Sequence, residues 1–326
     1  MDYLLDIPMC TYNHEKYIAQ AIEGVVMQKT NFKFRLHIGE DASTDSTKNI
    51  VLNYSKKYPE IIFPVFHEKN IGPAENTKIL FSKCTSKYIA LCDGDDYWTD
   101  PLKLQKQVDL LESNDNIGLV YTKSQRYIQN LNKYIEMPVT YPKHAAEVIP
   151  LLIRSKYIDT PTTVFRKTIL EKVLDIIKIE MTNAIVGDTR IYLETAHNSE
   201  IYFLNEITAV YRVADGSASN PQDINNYILL SMDTYLCRKT FVLRNKLNTN
   251  WLSDTICNTN RGLIKKAYES EKYSDTINLL KNLLILDTIK YCSWTVFIDK
   301  MKIDIWAKLI LSIFGIGFFR QKINIK

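Results

Sequence analysis

The densest chemistry in this chain is Asp93-Gly94-Asp95-Asp96, three carboxylates within four positions. Like charges this close repel, so the arrangement calls for a cation or several donors to offset them. Hard divalent cations prefer oxygen ligands, and Mg²⁺ is commonly held by one or two carboxylates together with substrate phosphates. The Asp-x-Asp spacing therefore suits a nucleotide diphosphate bridged to the protein by Mn²⁺ or Mg²⁺. Gly94 lets the backbone turn and a bulky ligand come close. A solvated turn has the same composition. The context points beyond it: apolar residues from Tyr88 to Cys92 come before, and Tyr97-Trp98 follow, with rings that can wall a sugar or a base.

Other residues read two ways. Asp188, in Val186-Gly187-Asp188-Thr189-Arg190, sits where a helix N-cap would precede Ile191, Leu193 and Ala196. Tyr211-Arg212, followed by Asp215-Gly216-Ser217, reads either as a strand end and turn or as a mobile segment closing over a diphosphate, with Arg212 giving charge-assisted bonds. Asp45 reads as an early-helix charge favoured by the dipole. Lys78 and Arg35 read as solvated charges at helix or strand ends.

These residues need elements to position them, and the first half alternates short apolar runs with amphipathic stretches, the pattern of repeated β-α units. Strands are expected at Leu4 to Met9, Phe34 to Ile38, Ile61 to Phe66, Tyr88 to Cys92 and Gly118 to Thr122. Ile18, Ala21, Ile22, Val25 and Val26 recur at helical spacing, with Asn13 placed as a cap. Further helices carry Ile50, Val51 and Tyr54, open at Gly72-Pro73, and follow Pro101 with Leu104, Val108 and Leu111 inward. The acidic cluster then lies at the carboxyl end of a strand, the edge where open α/β sheets bind ligands.

From about Tyr141 to Arg212 the pattern is mixed, with helices expected near His144 to Ile153 and Thr168 to Ile177 and an extended stretch at Thr160 to Arg166. After residue 220, helices are expected at Ile224 to Leu243 and Leu263 to Leu286. The last segment, Ile305 to Phe319, is conspicuously apolar and ends in Arg320, Lys322 and Lys326. It is shorter than the roughly 20 residues that cross a bilayer. It suits peripheral attachment at the membrane interface, or docking on the core or on a second subunit as a homodimer contact.

Composition excludes some classes. A net charge of +4, evenly spread, gives no nucleic-acid footprint. The six cysteines lack Cys-x-x-Cys spacing and the N-terminus lacks a secretory signal, so a reducing cytoplasm is expected. The five histidines stand apart, against a structural zinc site.

Four segments, in order, resemble a family 2 glycosyltransferase of the GT-A fold: Pro8 to Glu15, Glu40 to Thr47, Asn70-Ile71-Gly72 with Asn76, and Cys92 to Asp96. The resemblance covers about residues 4 to 215 and weakens after about Thr122. It implies an α/β GT-A domain, a Rossmann-like mixed sheet flanked by helices, over residues 1–220; the loss of strand signals after it marks an appended helical C-terminal region over 221–326. By the same resemblance Thr11, Tyr12, Asn13 and Glu15 line the nucleotide pocket, Asn70 and Gly94 belong to it, Asp41 binds base or ribose, Asp93 contacts nucleotide and metal, and Asp95 is the principal metal ligand. It makes Asp188 the base for the acceptor hydroxyl, with Asp159 and Glu194 as weaker competitors. The family usually shows two acidic residues and then Gly-Ser where this chain has Glu40-Asp41-Ala42-Ser43, a change expected to alter the turn.

The expected activity is inverting transfer from a nucleotide-diphosphate sugar, UDP-sugar foremost, to a glycan or lipid-linked saccharide acceptor, at the cytoplasmic face of a bacterial membrane during surface-polysaccharide assembly. Two alternatives stand beside it: a non-catalytic carbohydrate- or nucleotide-binding GT-A protein, and a nucleotidyltransferase, against which the absence of a Gly-rich phosphate loop near Cys10 to Tyr17 argues.

Overall fold

The computed structural model describes residues 2–136, 145–155, 158–178, 187–214, 221 and 223–270. They fall into two compact units divided after residue 220. The first unit begins β1 (Tyr3–Thr11), α1 (Ile18–Val26), β2 (Lys33–Glu40), α2 (Thr47–Lys57), β3 (Ile62–Phe66), α3 (Pro73–Lys83) and β4 (Tyr88–Ala90). It continues β5 (Tyr97–Trp98), α4 (Lys103–Ser113), β6 (Ile117–Ile128), β7 (Lys133–Glu136), α5 (Ala145–Arg154), β8 (Val164–Arg166), α6 (Lys167–Ile177), α7 (Asp188–Asn198) and β9 (Glu200–Val213). Short 3₁₀ turns occupy Gln129–Leu131 and Thr160–Thr162.

The sheet runs β3-β2-β1-β4-β8-β6-β9-β5, with β7 paired to β6. β1 to β4 are mutually parallel where they pair, β8 is antiparallel to both β4 and β6, β6 and β9 are parallel, and β5 is antiparallel to β9. This is the mixed, helix-flanked sheet of the GT-A fold. Leu5, Ile7 and Met9 of β1, Leu36 and Ile38 of β2, and Ile18, Ile22 and Val25 of α1 form the core. Burial of the strands on both faces explains their near-continuous apolar runs.

Two glycines set close approaches. A Cβ on Gly24 of α1 would lie 2.8 Å from the Trp98 backbone nitrogen, and one on Gly39 would lie 2.0 Å from Asn76 Oδ1. Asn76 uses that space to donate to the Gly39 carbonyl at 2.8 Å, tying α3 to β2. Pro73 opens α3 as expected, behind Gly72 with φ of 84°.

Several expectations are corrected. Asn13 does not cap α1: Tyr17 holds that position, and Asn13 lies in the preceding loop with φ of 53°. Trp98 walls no ligand; it is 2 % exposed, with its indole N–H on the Pro161 carbonyl at 2.8 Å. Arg35 is no solvated charge, because it bonds buried Asp6 through both Nε and Nη2. Asp188 is the first residue of α7 and Gly187 holds the cap position.

The second unit contains α8 (Ile224–Arg244) and α9 (Trp251–Ser270), packed on each other. Asp223 caps α8 by accepting the Asn226 N–H at 3.0 Å. α9 begins before the expected Leu263, and the apolar stretch 305–319 lies outside the described residues. Among the described residues no helix is long and apolar enough to cross a membrane.

Candidate functional site

Three loops leave the carboxyl ends of adjacent parallel strands β1, β2 and β4 and meet there, the edge at which parallel α/β sheets gather ligands. The first two are stitched reciprocally. Asn13 Oδ1 accepts the Thr44 N–H at 2.9 Å and the Asn13 N–H reaches Ser43 Oγ at 2.9 Å. Glu15 accepts the Ser46 N–H at 3.1 Å while the Glu15 N–H donates to Asp45 at 3.0 Å. Asp45 also takes the Thr47 N–H at 2.9 Å at the start of α2. Burial would raise its pKa, but these donors outweigh it and hold the carboxyl below its ordinary value. Asn13 and Glu15 thus hold the first loop to the Ser43–Ser46 backbone.

Asp41 anchors the third predicted segment. Its Oδ1 and Oδ2 accept the N–H groups of Ile71 and Gly72, at 2.8 and 2.9 Å, and the Asn70 amide donates to the Asp41 carbonyl at 3.3 Å. Its own N–H bonds the Thr11 carbonyl at 3.0 Å. Ala42 beside it has φ of 55°, the left-handed conformation that glycine adopts freely.

The acidic loop sits against the first. The Gly94 N–H bonds the Cys10 carbonyl at 2.9 Å, and a Cβ on Gly94 would lie 2.8 Å from Thr11 Oγ1. Asp93 is exposed, Asp95 half-buried and Asp96 buried. The carboxylates of Asp93 and Asp41 both act on the Cys10 thiol, which burial and Asp93 push up to about 12. Cys92, fully buried beneath the loop, is pushed well above its ordinary range by burial and by Asp96 and Asp93. Neither thiol is a nucleophile at neutral pH. Tyr12 is exposed on the first loop.

Arg212, near the end of β9, meets this loop directly. Its backbone N–H donates to Asp96 Oδ1 at 2.8 Å and its Nε to the Asp95 carbonyl at 2.8 Å. The guanidinium is held in the fold, not carried on a mobile segment; residues 215–217 lie outside the described residues.

At the start of α7, Asp188 Oδ1 accepts the Thr189 N–H at 2.6 Å and its hydroxyl at 3.3 Å. Asp159 is differently placed. Arg126 grips it through Nη2 at 2.7 Å and Nε at 3.2 Å, and Ser124 donates to it at 2.6 Å. That engagement makes it a structural anchor for the turn Thr160–Thr162. Glu194 is buried within α7.

The acidic loop fits a divalent cation by its chemistry: hard oxygen donors on an exposed and a half-buried carboxylate, with glycine between them. Nearby buried polar atoms support a ligand-facing site. Thr11 Oγ1, His14 Nδ1 and Glu40 Oε2 lack hydrogen-bond partners among the described residues. Burial holds the His14 imidazole below its ordinary pKa, against the pull of Asp95 and Asp45 and with Arg212 adding to the lowering.

Spacing in the sequence missed a second cluster. Ligand atoms of Asp6, His37 and Cys84 lie within 4.8 Å of one another. They stand at the amino end of β4, where Asp6 also accepts the N–H groups of Thr85 at 2.7 Å and Ser86 at 2.8 Å. Burial opposes ionisation there, but bonds from His37, Arg35 and Ser86 lower the Asp6 pKa far below its ordinary value. A cation would have to displace the Arg35 guanidinium from the same carboxylate, so the cluster reads as a buried ion-pair network.

A mixed, helix-flanked sheet whose parallel half gathers three loops around an Asp-Gly-Asp segment is the GT-A class of architecture. The model of glycosyl transferase family 2 matches residues 6–174, more than half of the chain, and the chain belongs to that family. An uncharacterised protein of Mycobacterium tuberculosis is 35 % identical over 208 residues, 64 % of this chain and 58 % of that one. An uncharacterised glycosyltransferase of a Nostoc species is 27 % identical over 214 residues, 64 % of each. The chain therefore matches less than two thirds of these relatives' length. Among solved structures, S. aureus TarS 1–349 in complex with UDP-GlcNAc superposes with a TM-score of 0.53 at 14 % identity, over 97 % of this chain and 93 % of that one. The mannosyltransferase PcManGT of Pyrobaculum calidifontis, in complex with GDP-Man and Mn²⁺, gives 0.52 at 14 %, over 95 % and 87 %. At such identity these two speak for the fold.

Proposed function

We propose that the chain is an inverting glycosyltransferase that moves a sugar from a nucleoside-diphosphate sugar, a UDP-sugar foremost, to a hydroxyl of a glycan or lipid-linked acceptor during assembly of a bacterial surface polysaccharide. The observation that carries this is the Asp93-Gly94-Asp95 loop, seated on Cys10 and Thr11 at the carboxyl edge of the parallel strands. That TarS was solved with UDP-GlcNAc and PcManGT with GDP-Man and Mn²⁺ supports a nucleoside-diphosphate ligand for a chain of this fold.

In this reading Thr11, Tyr12 and the Asn13–Glu15 rim border the nucleotide, with Asp41 and Asn70 shaping its base side. Asp95, assisted by Asp93, holds a divalent cation, Mn²⁺ or Mg²⁺. When bound, that ion offsets the charge developing on the leaving diphosphate. Asp188 accepts the proton of the acceptor hydroxyl as it attacks the anomeric carbon from the opposite face, so one displacement inverts the configuration without a covalent enzyme intermediate. The segment 221–326, through its apolar stretch 305–319, would bring the chain to the cytoplasmic membrane face, where a lipid-linked acceptor resides.

Calorimetric titration with UDP, GDP, TDP and their sugars, each with Mn²⁺ and with EDTA, tests the reading. Metal-dependent binding of one nucleotide is expected. A folded protein that binds none would leave a non-catalytic GT-A protein as the better description.

A further inference from the structure

From the environment of Arg212 we infer that this residue is a positioning residue for the acidic loop, acting through the Asp95–Asp96 backbone and not as a solvated arm that supplies charge to phosphate. The inference rests on the transferase reading of that loop.

Arg212 is 8 % exposed, and its strand is fixed on both sides: Val210 pairs with Tyr97 of β5, and Arg212 itself with Tyr127 of β6. Its Nε bonds the Asp95 carbonyl, its Nη2 bonds Gln20 Oε1 at 2.9 Å on α1, and its backbone N–H bonds the Asp96 carboxylate. The guanidinium carbon lies 4.6 Å from the Tyr17 ring centre, 5.4 Å from Tyr127 and 5.6 Å from Tyr97.

Three rings replace the water that would let the group swing, and the bonds at Nε and Nη2 fix its plane. The consequence falls on the peptide joining Asp95 to Asp96. Its carbonyl is pinned from β9, and Asp96 is pinned one residue later, so the Asp95 carboxylate starts from a set position. Catalytic ligands depend on such support, since small displacements cost large factors in rate or affinity. A lysine offers a point charge without the planar fork and cannot reproduce the Nε and Nη2 bonds together.

The test is calorimetric titration of UDP and of GDP into the full chain and into Arg212→Lys, Arg212→Met and Gln20→Ala, each with Mn²⁺ and with EDTA. Both Arg212 variants should lose about tenfold or more in Mn²⁺ and keep the wild-type metal-free affinity within about twofold, because the defect lies in ligand placement. Gln20→Ala, at an exposed position, should lose a smaller factor, roughly threefold, in Mn²⁺ alone. Equal losses with metal and with EDTA would assign Arg212 to direct phosphate contact and overturn the inference, as would unchanged affinity in Mn²⁺. If circular dichroism shows the Arg212 variants unfolded, Gln20→Ala decides by the same two outcomes. Folded wild-type protein that binds neither of these nor TDP overturns the transferase reading and this inference with it; wild-type binding that the variants leave untouched overturns the inference alone.

Discussion

Asp41 closes a turn that begins thirty residues later: its Oδ1 accepts the Ile71 N–H and its Oδ2 the Gly72 N–H. Replacing one oxygen of this buried carboxylate by an amide sets donor against donor, at a cost of about 1–3 kcal/mol. Asp41→Asn should therefore lower the unfolding temperature and, by releasing Asn70, weaken nucleotide binding about tenfold. Thermal unfolding read beside calorimetry separates the two effects. Weaker binding with an unmoved transition would mean that the carboxylate serves the base directly and does not hold the turn.

Asp188 and Asp159 call for opposite outcomes. Asp188→Asn should keep metal-dependent nucleotide binding and lose transfer by about 10²-fold or more, the scale of a missing general base. Asp159→Asn should instead destabilise the fold by about 3–5 kcal/mol, since Arg126 loses the buried partner it grips through two nitrogens. A radiolabelled transfer assay with matched melting curves reads both. Full activity in Asp188→Asn would move the search for the base to Glu194.

Much of the parallel half was legible because its signals are local: strand, capping turn and amphipathic helix follow one another, and Pro73 or the run from Ile18 to Val26 declares itself within a few positions. Legibility ended where a residue's environment is made by distant chain. Arg35 and Asp6 are neighbours only because β1 and β2 pair. Trp98 is core because Pro161 offers it a carbonyl. Arg212 touches Asp95 across a separation of 117 positions. The same holds for Asp41, whose family role suggested a base contact while its visible bonds go to backbone.

Gly94 offers a contrast with its neighbour. A methyl group there would meet Thr11 Oγ1 at 2.8 Å and the Cys10 carbonyl at 3.0 Å, and that carbonyl is already bonded to the Gly94 N–H. Gly94→Ala should cost about 1–3 kcal/mol of stability and displace the loop, reducing metal-dependent binding. Asp95→Asn should leave the melting temperature near wild type and remove the Mn²⁺ enhancement alone. Retained Mn²⁺ dependence in Asp95→Asn would take that residue out of the site.

Lys103 lies wholly buried under the Trp98 ring, 4.5 Å from its centre, with Nζ on Gln107 Oε1 at 2.6 Å. Burial lowers its pKa to about 7, although Cys92 and Asp100 pull the other way. An unfolded lysine keeps its proton to roughly pH 10. Between these values the unfolded chain binds more protons than the native one, so this group makes stability rise with pH, by at most about 1.4 kcal/mol per unit. Urea unfolding at pH 7, 8 and 9 should show wild type gaining on Lys103→Met as pH rises. A constant difference would mean that Lys103 stays charged in the fold.

Ala42 stands in a left-handed turn fixed from both sides, by the Asp41 N–H on the Thr11 carbonyl and by the Ser43 N–H on Glu40 Oε1 at 2.7 Å. A side chain in that conformation costs roughly 1–2 kcal/mol, and glycine would remove the cost while giving back about 0.5–1 kcal/mol in unfolded-chain entropy. Ala42→Gly should therefore raise stability by up to about 1 kcal/mol, or roughly 2–4 °C in a domain of this size. Because its neighbours already set the turn, nucleotide affinity should not change. A lower melting temperature would show that the methyl group makes a packing contact worth more than the strain, and that the departure from Gly-Ser in this loop is compensated locally.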